Sequence, residues 1–188
     1  MSEPDRILSN YTAVERAVAY WRKLGKTICL TQGSFDMIHI GHGRYLAKGK
    51  SLADILIVGI DSDEKIKVRK GEDRPVVPED ERLEMLAYLR PVDHAVVKKL
   101  HAPKWDLIKR IKPDVLLATD TTYTDAQLKQ LKAWCGKVVV LKPQATTSTS
   151  AKLRRLQIGF AHNFSSVLSE RILAAIEKTV EEMKKQST

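Results

Sequence analysis

The chain has 188 residues with a hydrophobic fraction of 43% and a charged fraction of 29%, enough to bury one good core, and global disorder is excluded. The formal net charge of +9 suits polyanionic partners. The basic residues are scattered and aromatics make up only 6%, so no nucleic-acid partner is expected; small anions such as nucleotides and phosphate esters fit equally well.

In chain order, Met1-Ser2-Glu3-Pro4-Asp5 lacks the layout of a signal peptide. Thr12-Ala13-Val14-Glu15 reads as a capping box, after which Val14, Ala17, Val18 and Trp21 recur at helical spacing up to Gly25. Thr27 to Gln32 is an apolar strand followed by a glycine-rich loop, and a helix is predicted from about Gly41 to Leu52. Ile55 to Ile60 is a second strand; the apolar run from Leu52 to Ile60 contains Asp54 and is too short to span a bilayer, so no membrane partner is expected.

Residues 62–78 are polar, carry Gly71, Pro75 and Pro78, and are predicted to be a mobile connection. A helix then runs to Arg90, where Pro91 stops it, and a short strand covers Ala95 to Val97. Further elements are a helix from Pro103, a strand at Val115 to Leu117, a helix from Thr124 to Trp134 and a strand at Val138 to Leu141. From Ser165 onward, Leu168, Ile172, Ile176 and Val180 define an amphipathic helix for covering or dimerisation, so a homodimer is expected. The cysteines, Cys29 and Cys135, lack metal-ligand spacing, which points to a reducing, cytoplasmic setting.

Helices alternating with short apolar strands indicate an α/β fold: a Rossmann-like, doubly wound parallel sheet with an appended C-terminal helix. Ligands of such sheets sit at the carboxyl ends of the strands. That is where Gly33-Ser34-Phe35-Asp36-Met37-Ile38-His39-Ile40-Gly41-His42 lies. Gly33 would let the backbone approach a phosphate, and Gly41 would keep bulk away from it. His39 and His42 fall at a helix start, whose amides and dipole favour an anion. The same histidines could be a metal pair or ordinary caps; no third ligand lies nearby in the sequence.

This stretch resembles the HxGH signature of the nucleotidyltransferase superfamily of cytidylyltransferases and sugar-phosphate adenylyltransferases. The likeness continues through Tyr45-Leu46, Lys50, Ala53-Asp54 and Ile57 to Asp63, then Lys70 to Val76, Glu81-Arg82, Pro91 to Asp93 and Ser148-Thr149-Ser150. It implies a nucleotidyltransferase domain over residues 26–156, between an N-terminal helical extension (1–25) and a C-terminal amphipathic helix (157–188). It further implies transfer of a nucleoside monophosphate from a triphosphate to a phosphorylated small molecule, with pyrophosphate released. The acceptor is already anionic, so no general base is required.

By the same resemblance His39, His42 and Lys50 are catalytic, with Lys50 also reaching the acceptor. Gly33, Ser34, Phe35, Asp36 and Gly41 bind the nucleotide; Asp36 also organises the loop, approaches the substrate and, with triphosphate oxygens, holds Mg2+. Arg82 is placed near the substrate phosphate and Asp93 near the nucleotide or ribose. Ser148 and Thr149 hold the β- and γ-phosphates, with Ser150 beside them. Arg74-Pro75-Val76 after Lys70-Gly71 is similar to the ADP-heptose branch. That branch has K-G-G-D-Y where this chain has Ala118-Thr119-Asp120-Thr121-Thr122-Tyr123, with Ala118 and Asp120 lining the nucleotide pocket. Adenylyl transfer to a sugar phosphate is therefore set beside a CTP-dependent alternative with glycerol 3-phosphate, phosphoethanolamine or a phosphonate. A non-catalytic nucleotide-binding regulator or an RNA-linked protein is the reading from another class.

Overall fold

The computed structural model describes residues 4–145, 156, 158, 168–169 and 171–176. The chain divides into two compact units, 1–146 and 147–188. In the second unit, Leu168, Ile172 and Ile176 are helical and exposed; Val180 lies outside the described residues.

The first unit holds a six-stranded, all-parallel sheet of order β1-β4-β3-β2-β5-β6. The strands are β1 (Ile7–Leu8), β2 (Ile28–Gly33), β3 (Ile55–Asp61), β4 (His94–Lys98), β5 (Val115–Thr119) and β6 (Lys137–Leu141). The helices are α1 (Tyr11–Lys23), α2 (Ile40–Lys50), α3 (Asp63–Lys70), α4 (Glu79–Tyr88), α5 (Asp106–Ile111) and α6 (Asp125–Leu131). All of β3 is buried, as a central strand covered on both faces must be. On one face Val14 and Val18 of α1, Leu107, Ile108 and Ile111 of α5 and Leu131 of α6 pack on Ile28, Leu30 and Ile57. On the other, Tyr45 and Leu46 of α2 and Leu86 of α4 pack on Cys29, Leu56 and Val58.

This is the doubly wound Rossmann-like architecture expected. The chain leaves β2 through α2 on one face and reaches β5 from β4 through α5 on the other. The switch point is therefore between β2 and β5, and it marks the ligand crevice at their carboxyl ends. Near the N-terminus, β1 pairs with β4, and Val14 and Val18 of α1 belong to the core. The cap of α1 is Asn10, whose side chain accepts from the Ala13 N–H, rather than Thr12.

The predicted mobile connection over 62–78 instead carries α3. Ser62 caps it by accepting from the Lys65 N–H, Asp63 and Glu64 lie in its first turn, and Lys67, Arg69 and Lys70 in its last. Caps and dipole specify this helix. Only Ile66 is buried, so no apolar periodicity reveals it.

At the amino edge of the sheet, three aspartates bind strand-initiating amides. Asp54 accepts from Thr27 N–H at 2.9 Å, Asp93 from Leu56 N–H at 2.7 Å and Asp114 from Ile28 N–H at 2.7 Å. No helix among the described residues is long and apolar enough to cross a membrane.

Candidate active site

Between β2 and α2 the chain makes a tight loop with Phe35 at φ +48° and Met37 at +52°, both in the left-handed region that non-glycine residues rarely adopt. Such strain persists where surroundings over-determine it. Phe35 is buried, and its ring fills the space over Gly33: a Cβ there would lie 3.1 Å from Phe35 Cε2. A side chain here would crowd this ring, a packing reason for the glycine that sequence reasoning did not supply.

Asp36 is buried and fully engaged. Its carboxylate accepts from the Val76 N–H at 3.1 and 3.2 Å and the Val77 N–H at 3.1 Å, and pairs with Arg74 at 2.6 Å. These contacts tie the loop to residues 74–77. As a magnesium ligand Asp36 does not fit, because both oxygens are already taken by the protein. Among the described residues no group of three or more His, Cys, Asp or Glu could hold a metal.

The histidines meet at the start of α2. His39 is the N-cap, its Nδ1 accepting from the Gly41 N–H at 3.1 Å, while His42 Nδ1 accepts from the His39 N–H at 3.3 Å. Their ring centroids are 4.1 Å apart. A neutral imidazole whose Nδ1 accepts carries its proton on Nε2. Two Nε2–H donors thus stand at a helix N-terminus. Gly41 has its own reason to be glycine: a Cβ would lie 2.8 Å from His39 Cε1, so it leaves room for the capping ring.

Burial, then the His39 ring and the charge of Lys70, lower the His42 pKa to about 4. At neutral pH it is an uncharged donor. The unfolded chain takes up this proton near 6.5, so the contribution to stability is present above 6.5 and is lost as pH falls toward about 4. In the ligand-free protein an NMR titration should give His42 a midpoint near 4. A midpoint at or above the ordinary histidine value would contradict the buried, neutral assignment.

Other expected site residues separate into groups. Ser34 is buried, its hydroxyl accepting from Arg69 at 2.8 Å. Ala118 is buried within β5, and Asp120 begins the Thr119–Thr122 turn, its N–H donating to Leu141 O at 3.3 Å. This turn leaves the strand beside β2, so it shares the carboxyl edge with the histidine loop.

Lys50 and Asp93 are not there. Lys50 lies at the far end of α2, where it pairs with Asp93 at 2.5 Å and donates to Asp54 O. Asp93 belongs to the set that caps the amino edge, so the catalytic place given to Lys50 and the nucleotide-binding place given to Asp93 are corrected. An 11-residue helix carries the chain about 16 Å away from its own N-terminus.

Arg82 is also reassigned. Its side chain is 1% exposed and donates to Ser34 O (2.5 Å), Val77 O (2.9 Å), Asp61 O (3.0 Å) and Asp63 Oδ1 (2.7 Å). Four of its five N–H groups are spent on the protein, so it braces the loop and is turned away from any ligand. Ser148, Thr149 and Ser150 lie outside the described residues. Sequence reasoning missed Arg74, which holds Asp36, and Arg69, which holds Ser34. Arg69 sat in a stretch read as a connection, and Arg74 entered only as part of a branch resemblance, with no role given to either.

A switch-point loop that sets two neutral imidazoles on a helix N-terminus defines a nucleotide-phosphate-handling domain. The profile of the cytidylyltransferase-like family matches residues 30–183, and the chain belongs to that family and is a nucleotidyltransferase by class. It is 41% identical over 113 residues to the bifunctional protein HldE of a Nitratiruptor species, covering 60% of this chain and 24% of that one. With the bifunctional protein HldE of Methylobacillus flagellatus it shares 35% identity over 150 residues, 78% of this chain and 30% of that one. The chain thus spans only about a quarter to a third of these relatives' length.

Among solved structures, the lipopolysaccharide core biosynthesis protein of Thermoplasma volcanium superposes with a TM-score of 0.54 at 27% identity, covering 62% of this chain and 97% of that one. The pantoate-beta-alanine ligase of Francisella tularensis gives a TM-score of 0.58 at 17% identity, over 77% and 68% of the two chains, a likeness of fold alone.

Proposed function

We propose that the protein transfers a nucleoside monophosphate from a nucleoside triphosphate to a phosphorylated small molecule, with ATP as donor and a sugar phosphate as acceptor. The observation that carries this reading is the pair of neutral imidazoles with both Nδ1 atoms committed to backbone amides. In the reaction an oxygen of the acceptor phosphate attacks the α-phosphorus in line. A P–O bond forms there as the bond to the bridging oxygen breaks, and pyrophosphate leaves without any proton having to move. The Nε2–H groups donate to phosphate oxygens where charge accumulates, and the α2 N-terminus adds its partial positive charge. Holding the two reactants together supplies the rest of the acceleration.

Magnesium enters this reading as an ion carried by the triphosphate, since the Asp36 carboxylate does not fit it. Likeness to a lipopolysaccharide core biosynthesis protein supports a sugar-phosphate acceptor. The cytidylyltransferase-like family description favours a second reading with CTP.

The deciding experiment crosses ATP, CTP, GTP and UTP with heptose 1-phosphate, glycerol 3-phosphate, phosphoethanolamine and flavin mononucleotide, with pyrophosphate as the readout. Release with ATP and the sugar phosphate is expected. Turnover with CTP and glycerol 3-phosphate alone would transfer the assignment to the second reading, and silence from every pair would leave a nucleotide-binding regulator.

A further inference from the structure

Thr31 of β2 and Leu117 of β5 are register partners on the two strands that flank the switch point. Tyr45 of α2 reaches both. Its hydroxyl donates to Leu117 O at 3.0 Å and lies 2.8 Å from Thr31 Oγ1. A phenol has one hydrogen, so with that hydrogen on Leu117 O it accepts from the Thr31 hydroxyl. Both side chains are buried, and burial pushes the Tyr45 phenol up, so it keeps its proton.

A phenylalanine would fill the same place in the core. Tyr45 belongs to the apolar cluster of Phe35, Leu46, Leu56 and Leu117, and that packing needs no oxygen. What the oxygen adds is direction. Apolar burial is indifferent to a small roll of a helix, whereas a hydrogen bond weakens steeply away from its preferred angles. At Gly49, one turn further on, a Cβ would lie 3.1 Å from both Leu117 Cδ2 and Leu56 Cδ1, so α2 lies close on β5 and β3 there. The close approach sets the height of the helix over the sheet, and the phenol sets its rotation.

His42 stands three residues before Tyr45, on the same face of α2. Its ring centroid is 5.4 Å from that of Phe35 and 4.1 Å from that of His39, which caps the same helix. A roll of α2 therefore moves both Nε2–H groups. Leu117 also immediately precedes Ala118, so the phenol fixes α2 relative to the turn that leaves β5.

We infer that Tyr45 is a positioning residue: its hydroxyl, tied to Thr31 and to Leu117 O, holds the rotation of α2 and with it the placement of the His39 and His42 donors. The catalytic consequence rests on the transferase reading above; the placement of the rings does not.

Tyr45→Phe keeps the ring and removes the tie. Its kcat should fall about 10- to 100-fold with the triphosphate KM close to wild type, since a misplacement of about 1 Å has an effect of this order. In the ligand-free variant the NMR midpoint of His42 should rise from about 4 toward 6.5, because a displaced ring loses part of the burial that lowers it.

The same variant leaves the buried Thr31 hydroxyl without its acceptor, which lowers stability for a reason unrelated to the histidines. The double variant Thr31→Val/Tyr45→Phe removes that hydroxyl as well, and replacing both polar partners by apolar groups of like shape should restore much of the melting temperature. Its kcat should stay low, because α2 still lacks its tie to Leu117 O. A kcat that recovers together with the melting temperature would reduce the phenol to a core hydrogen bond and overturn the inference. Wild-type turnover or an unmoved His42 midpoint in Tyr45→Phe would overturn it too. If the wild-type chain releases pyrophosphate with no pair of substrates, the transferase reading fails alone. The His42 midpoint in Tyr45→Phe then decides the positioning role, a rise upholding it and no change removing it.

Discussion

His42→Ala should lower kcat by about 100- to 1,000-fold, the usual loss when one donor to transition-state charge is removed. The Nε2–H of His42 acts where negative charge grows on the reacting phosphates, so kcat and kcat/KM for the triphosphate should fall together. The alanine also removes the Nδ1 acceptor that holds the His39 N–H at 3.3 Å, at a cost of about 1 kcal/mol. Turnover and stability therefore have to be separated, and His42→Gln does this. A glutamine in the third position of α2 can still reach back to the N-cap amide but cannot place a donor where Nε2 stood. Denaturant melts of His42→Gln should approach wild type while turnover stays low. Near-normal turnover in either variant would remove His42 from the mechanism, and recovery of activity together with stability would reduce it to a helix cap.

The sheet was legible because its strands are short, continuously apolar and separated by helices, the pattern of a sheet covered on both faces. The phosphate loop was legible because its glycines and histidines have few other reasons to occur together after a strand. What the sequence concealed is which end of an element a residue occupies and where its donors point. Lys50 looked like a companion of His42, yet α2 carries it to the opposite edge, onto Asp93. Asp93 itself follows a helix-stop signal, and nothing in its neighbours distinguishes a sheet-edge cap from a ribose ligand.

Helix α3 was hidden for a different reason. It is specified by the Ser62 cap and by charges matched to its dipole, with Ile66 alone buried, so a search for apolar periodicity passes over it. Arg69 was lost with it, and Arg74, a few residues beyond its end, was noticed without its role as the partner of Asp36. The structure sets Arg69 against Asp61 and Ser34 and Arg74 against Asp36, contacts that a run of scattered charges does not betray.

Arg82→Met separates the two parts that an arginine in α4 could play. The substitution keeps the unbranched aliphatic stem and removes the guanidinium, so the effect comes from the lost donors and the space they vacate. If Arg82 held a substrate phosphate, the variant would fold normally and show a raised acceptor KM. The hydrogen bonds require the opposite. Carbonyls of Ser34, Asp61 and Val77 would lose their donor, and Asp63 would lose its ion pair.

Leaving the buried Ser34 and Asp61 carbonyls without a donor costs about 1–3 kcal/mol each, a large share of the roughly 5–15 kcal/mol that holds a domain of this kind together. Chemical denaturation should show a loss of that size, and Arg82→Lys should not restore it, because one ammonium cannot reach four acceptors in the directions a guanidinium fork covers. Ser34 begins the histidine loop and Asp61 sits between Arg69 and Lys98, so residual activity should fall by way of kcat as both lose their fixed positions. Unchanged stability with a raised acceptor KM would return Arg82 to the substrate and leave the loop without its brace.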